Sequence, residues 1–132
     1  MRIESHLENL KESAKEINDA ITEGLVSKQR PIGFHASAGA IDMMEILLHE
    51  NNLIDPGFVI KHEWFKSEKS IENKFHFDFP DKKEILQLVR NIENIRNKLC
   101  YGKRQSEDTL EKVIRDFNRL KEIFSKVSKH EL

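Results

Sequence analysis

The apolar side chains of this chain return every third or fourth residue in four long runs, and that spacing restricts the fold more than any other feature. In the first run they fall at Ile3, Leu7, Leu10, Ala14, Ile17, Ile21 and Leu25. Steps of that size put one stripe down an α-helix, whereas a half-buried strand needs alternation. The stripe predicts a first helix from Ile3 to about Leu25 or Val26. The pattern stops between Ser27 and Gly33, and Pro31 lacks the amide that a continuing helix requires. A second helix is expected to begin near Gly33, with Phe34, Ala38, Ile41, Met44 and Leu48 on one face and Met43 and Leu47 widening it. Its small residues from Ala36 to Ala40 let another helix approach closely, which places it centrally. Asn51 and Asn52 should end it.

Asp55 followed by Pro56 reads as the cap and first position of a shorter third helix carrying Phe58, Val59, Trp64 and Phe65. From Lys66 to Phe79 the pattern is less regular. Phe75, Phe77 and Phe79 alternate as a strand would, but a lone strand is not stable, so an ordered loop tucking aromatics over the helices is expected. Asp81 and Glu84 suggest a capping box for a fourth helix with Ile85, Leu88, Val89, Ile92, Ile95 and Leu99 along its stripe. Gly102 is placed to stop it in the left-handed conformation. Ser106 can cap a fifth helix striped by Leu110, Val113, Ile114, Phe117, Leu120, Phe124 and Val127, and the tail beyond Ser128 should fray. Long amphipathic helices on short connections predict an all-α fold: an antiparallel four-helix up-and-down bundle with one additional short helix, residues 1–132 forming a single domain.

A chain of 132 residues can remove roughly two thirds of its unfolded surface from water, so its core needs no staples. The single cysteine, Cys100, has no internal partner, and no leader-like run opens the sequence, so the reducing cytoplasm is the expected compartment. Lys129-His130-Glu131-Leu132 resembles a retrieval signal, a match attributed to chance. No apolar run approaches the roughly 18 residues that cross a bilayer, so no membrane partner is expected. The net charge of −1 confines any nucleic-acid site to a local patch. No glycine-rich phosphate loop, His-Glu-x-x-His helix or calcium loop occurs. The 6 histidines are scattered, so zinc would need ligands collected from several helices, and neither metal nor cofactor is expected.

One segment carries chemistry: Glu93-Asn94-Ile95-Arg96-Asn97-Lys98-Leu99-Cys100-Tyr101-Gly102-Lys103-Arg104, at the end of the fourth helix. It resembles the motif of the HEPN family, small helical bundles in which an arginine, often followed by asparagine, precedes a histidine with four to six residues between them. The order and lengths of the helices fit as well. At the histidine position this chain carries Tyr101. The resemblance implies a homodimer that binds RNA or a nucleotide through Arg96, Asn97, Lys98, Lys103 and Arg104. It also implies a setting in defence or a toxin–antitoxin pair, with a small nucleotidyltransferase as partner protein. In the family, arginine and histidine from both subunits cleave a phosphodiester without metal; the corresponding pair here is Arg96 and Tyr101. A phenol, with an ordinary pKa near 10 against about 6.5 for imidazole, donates a proton but hardly accepts one. Loss of a general base costs about 10² to 10⁴ in rate. The expectation is therefore binding with weak or no ribonuclease activity. The alternatives are an active metal-independent ribonuclease using Arg96 and Tyr101, and a structural protein-interaction module.

Geometry adds a condition. Five residues of continuous helix separate Arg96 from Tyr101 by about 140° around the axis and about 7.5 Å along it. The two converge only if the helix unwinds near Cys100. Simpler roles also fit: Lys98, Lys103 and Arg104 complement a helix C-terminus, Arg96 pairs with Glu93, Tyr101 packs, and Cys100 is buried. His76 is the histidine that could stand in for the missing one.

Overall fold

The computed structural model describes residues 1–130. They form α1 (Ile3–Glu23), α2 (Gln29–Glu50), α3 (Glu68–Lys74), α4 (Lys82–Tyr101) and α5 (Glu107–Val127), with single 3-10 turns at Val26–Lys28 and His62–Phe65. There is no strand among the described residues, and none of their helices is long and apolar enough to cross a membrane. The last two residues of the retrieval-like tetrapeptide, Glu131 and Leu132, lie outside this range.

The hub is α2, which packs against α1, α4 and α5. From Ile32 to Leu48 it is buried on nearly every side, the pattern of a core helix rather than a surface one. Its glycines set the closest approaches: Gly33 lies against Leu99 of α4, and Gly39 against Phe117 of α5 and Ser13 of α1. Large side chains from every long helix, among them Leu10, Met43, Met44, Phe117 and Phe124, fill the spaces between.

Several boundaries differ from the sequence expectation. Gly24, at φ 118°, ends α1 two residues short of the apolar stripe, because the chain turns through a conformation that other residues rarely adopt. Pro31 does not break α2. It sits in the first turn, where amides have no intrahelical acceptor, so the helix starts four residues before Gly33.

Asp55-Pro56 opens a turn and no helix: the Gly57 amide donates to Asp55 Oδ1 at 2.9 Å, and the Phe58 amide to the Asp55 carbonyl at 3.0 Å. The short helix comes later, where Ser67 Oγ accepts from the Ser70 amide and caps α3. The stretch from Lys66 to Phe79, expected as a loop, therefore holds α3, and only the aromatics that follow it tuck over the helices as expected. Phe75 packs on Phe65 at 5.6 Å and Trp64 at 5.9 Å, and Phe65, Phe75 and Phe79 are buried, so these rings are core and not a base-stacking platform.

No capping box forms at α4. Asp81 adopts φ 56° and Glu84 instead binds Arg119 of α5 at 2.9 and 3.2 Å. Gly102 is not left-handed, since its φ is −92°. Glycine is required there for space: a Cβ would stand 2.7 Å from the Lys98 carbonyl oxygen. Ser106 does cap α5, accepting from the Thr109 amide. The tail is held as far as His130, with Ser128 Oγ, the Lys129 amide and the His130 ring all on Glu50 Oε2 at 3.2, 3.0 and 2.9 Å.

The end of α4 is capped from a distance. Buried Gln29 donates through Nε2 toward the carbonyls of Lys98, Leu99 and Lys103, and its Oε1 accepts the Gln105 amide at 2.7 Å. Truncation leaves those largely sheltered groups without their partner, so Gln29→Ala should lower stability by about 1–2 kcal/mol in urea titration. A value within error of wild type would show that solvent replaces the amide.

Candidate functional site

Helix α4 runs unbroken to Tyr101, so the unwinding that would join Arg96 to Tyr101 does not occur. The two side chains leave the axis about 140° apart and reach different clefts. Tyr101 is 73% exposed and lines a shallow groove with Arg30, Phe34 and His35. The basic residues do not form one patch either. Lys98 faces the α4–α5 groove beside Lys112 and Asp116, and Arg104 Nη1 donates to the Val26 carbonyl at 3.3 Å. Lys103 is exposed in the turn that Gln29 grips. Of the expected binding residues, Arg96 and Asn97 alone share a cleft, where Arg96 Nη1 donates to Asn97 Oδ1 at 3.3 Å.

That cleft, about 730 Å³ in volume, contains a histidine. His62, in the 3-10 turn before α3, lines it together with Arg96 and Asn97, as do the exposed Lys61, Glu63 and Lys66. Its Nδ1 lies 2.6 Å from Glu93 Oε2, and the Glu93 side chain is only 2% exposed. Glu93 does not pair with Arg96. Its other oxygen accepts a 2.5 Å hydrogen bond from Ser37 Oγ of α2. A carboxylate on Nδ1 fixes the tautomer with the proton there, which leaves Nε2 as a free acceptor. The His62 side chain is 48% exposed, so that nitrogen is within reach of solvent.

Ser37 touches Nδ1 as well, at 3.3 Å, but it is fully buried and donates to the carboxylate. It is a positioning group with no path to a substrate. Cys100 is buried too, and burial pushes its thiol up; Arg96 and Arg30 only partly offset this, so it is no ready nucleophile. His76, the stand-in considered from sequence, is exposed and packs beside Phe77, outside the Arg96 cleft.

A second polar cluster joins α1 to α2. His6 meets Asp42 at 2.7 Å and Glu45 at 3.7 Å, with His49 one turn further along α2. Burial pushes the Glu45 carboxyl up and the His49 imidazole down. These residues answer the condition that a metal would need ligands from more than one helix.

Neither His62 nor Ser37 was legible as a site residue. They meet Glu93 across 31 and 56 positions of sequence, with no local motif around them. No family model matches the chain, and no curated protein or solved structure is significantly similar to it, so the functional reading rests on the cleft itself.

Proposed function

We propose that the cleft between the His62 turn and α4 binds RNA and cleaves it without a metal ion, within a HEPN-like antiparallel four-helix frame of α1, α2, α4 and α5. The observation that carries this reading is the His62–Glu93 pair at 2.6 Å in the same cleft as Arg96. An imidazole held by a buried carboxylate has the proton-accepting capacity that Tyr101 lacks. In the reaction His62 Nε2 takes the proton of the ribose 2′-hydroxyl, whose oxygen attacks phosphorus. The bond from phosphorus to the 5′-oxygen breaks, that oxygen keeps the electron pair and takes a proton from water, and a 2′,3′-cyclic phosphate remains. Arg96 offers a forked donor to the phosphoryl oxygens as they gain charge, with Lys61 and Lys66 adding positive potential at the rim.

The test is incubation of RNA with the protein in excess chelator. The expected result is cleavage that leaves cyclic phosphate ends, spares DNA and 2′-O-methyl RNA, and falls at least about 100-fold in Arg96→Ala. If RNA stays intact but binds in an Arg96-dependent manner, the protein is a binding module and His62 has no catalytic part. If neither cleavage nor binding depends on Arg96, the RNA reading fails.

A second copy of the chain belongs to the same reading. Phe34 is 54% exposed beside the exposed Tyr101, an apolar surface at the end of α2 and α4 that self-association would cover. Light scattering should return a dimer for the wild type and a monomer for Phe34→Glu. A wild-type monomer across the working concentrations removes this part.

A further inference from the structure

The geometry points to a divalent transition-metal site, zinc first, formed by His6 of α1 with Glu45 and His49 of α2. One ligand atom from each lies within 4.8 Å of the others. His6 and Glu45 are buried, and His49 is half-buried. Among the described residues, His6 Nε2 and His49 Nε2 are both shielded from solvent without any hydrogen-bond partner, and the 3.7 Å from His6 Nε2 to Glu45 Oε1 is too long for one. An orphaned buried nitrogen costs about 1–3 kcal/mol. Two of them facing a carboxylate across one small space ask for something that accepts lone pairs from all three, which a cation does and a water molecule, with two protons to donate, does only in part.

The surrounding hydrogen bonds suit metal binding. Asp42 Oδ1 lies 2.7 Å from His6 Nδ1, which puts the proton on Nδ1 and leaves Nε2 as a donor lone pair. Glu45 and His49 are four residues apart on one helix and share a face. With metal–ligand bonds of about 2.05 Å, tetrahedral ligand atoms stand about 3.3 Å apart, so a modest contraction through side-chain torsions closes the set. Two imidazoles and one carboxylate are borderline donors that favour zinc or its neighbours over calcium and magnesium, which take oxygen shells. The ion would clamp α1 to the hub helix, on residues that the RNA cleft does not use.

The experiment titrates chelator-treated protein with Zn²⁺, and separately with Co²⁺, by calorimetry and visible spectroscopy. One ion per chain is expected, with a rise in thermal midpoint. The affinity should fall more than about 100-fold in Glu45→Gln and in His49→Gln, and about 10–100-fold in Asp42→Asn, which disturbs only the group behind His6. Nitrogen-15 imidazole spectra of the wild type need no variant: Zn²⁺ should move the Nε2 signals of His6 and His49 and leave those of His62, His76 and His130 in place. Absence of stoichiometric uptake overturns the site. So does binding that shifts the other histidines instead, or that survives unchanged in both ligand variants.

Discussion

If the proposed RNA cleft is right, exchange of His62 for glutamine should lower metal-free RNA cleavage by about 10² to 10⁴-fold while RNA affinity changes by less than about twofold. Glutamine keeps a donor for Glu93 and much of the volume, so the turn before α3 stays in place. What it loses is the lone pair that accepts the 2′-hydroxyl proton. Arg96→Ala should differ in kind, because a guanidinium that meets the phosphate in both ground and transition states alters KM together with kcat. Glu93→Gln falls between the two: it weakens the hold on the imidazole and changes the bond from Ser37, so turnover drops while binding survives. Single-turnover kinetics on a short RNA separates these cases. Should His62→Gln cleave at the wild-type rate while Tyr101→Phe does not, the His62 mechanism fails and the sequence-level pair of Arg96 and Tyr101 is restored.

The helical class was legible because burial leaves a periodic trace: each stripe from Ile3, Ile85 and Leu110 corresponds to a helix that turns most of that face inward, with Ile21 left exposed. The centrality of α2 was legible for the same reason, through small residues that only a crowded helix needs. The ends were less so. Pro31 carries the same side chain whether it breaks a helix or sits in a first turn, and Asp55-Pro56 opens both turns and helices. Gly102 does follow the end of α4, as its position suggested, but its constraint is the Lys98 carbonyl and not the left-handed conformation expected of it.

The candidate site followed the same division. Arg96 and Asn97 were proposed because they are neighbours in sequence, and Tyr101 was paired with Arg96 on an unwinding that α4 does not undergo. His62 could not be found. A turn delivers it to Glu93 only after α2, the aromatic loop and α4 have packed, and nothing within reach of His62 in sequence encodes that meeting. The Glu45-x-x-x-His49 spacing, by contrast, is local to one helix, but on its own it offers only two ligands and was not singled out. What it lacked was His6, which joins it only through the α1–α2 contact.

Replacement of Gly33 by alanine tests how far the cleft depends on the core. On propensity alone the change should stabilise α2, since alanine is favoured over glycine by about 1 kcal/mol inside a helix. Contact decides otherwise. A Cβ at Gly33 would stand 2.5 Å from Leu99 Cβ and 3.4 Å from Cys100 Sγ. The near atom is fixed to the α4 backbone, so no side-chain rotation relieves it and the two helices must part. Overpacking of this kind costs about 1–3 kcal/mol, and more where backbone has to move, so Gly33→Ala should lose about 2–4 kcal/mol net, with a thermal midpoint about 10 °C lower. Gly57→Ala is the control, because its nearest neighbour, Asp55 Oδ1, would lie at an ordinary 3.4 Å. Ser37 follows Gly33 by one helical turn, and the 2.5 Å bond it gives to Glu93 spans the same α2–α4 interface. Parting those helices therefore also loosens the carboxylate that orients His62, and RNA cleavage should fall below what the remaining folded fraction accounts for. A midpoint at or above wild type would mean that α4 yields without cost. A lost midpoint with full activity per folded molecule would mean that the Ser37–Glu93 bond does not govern the imidazole.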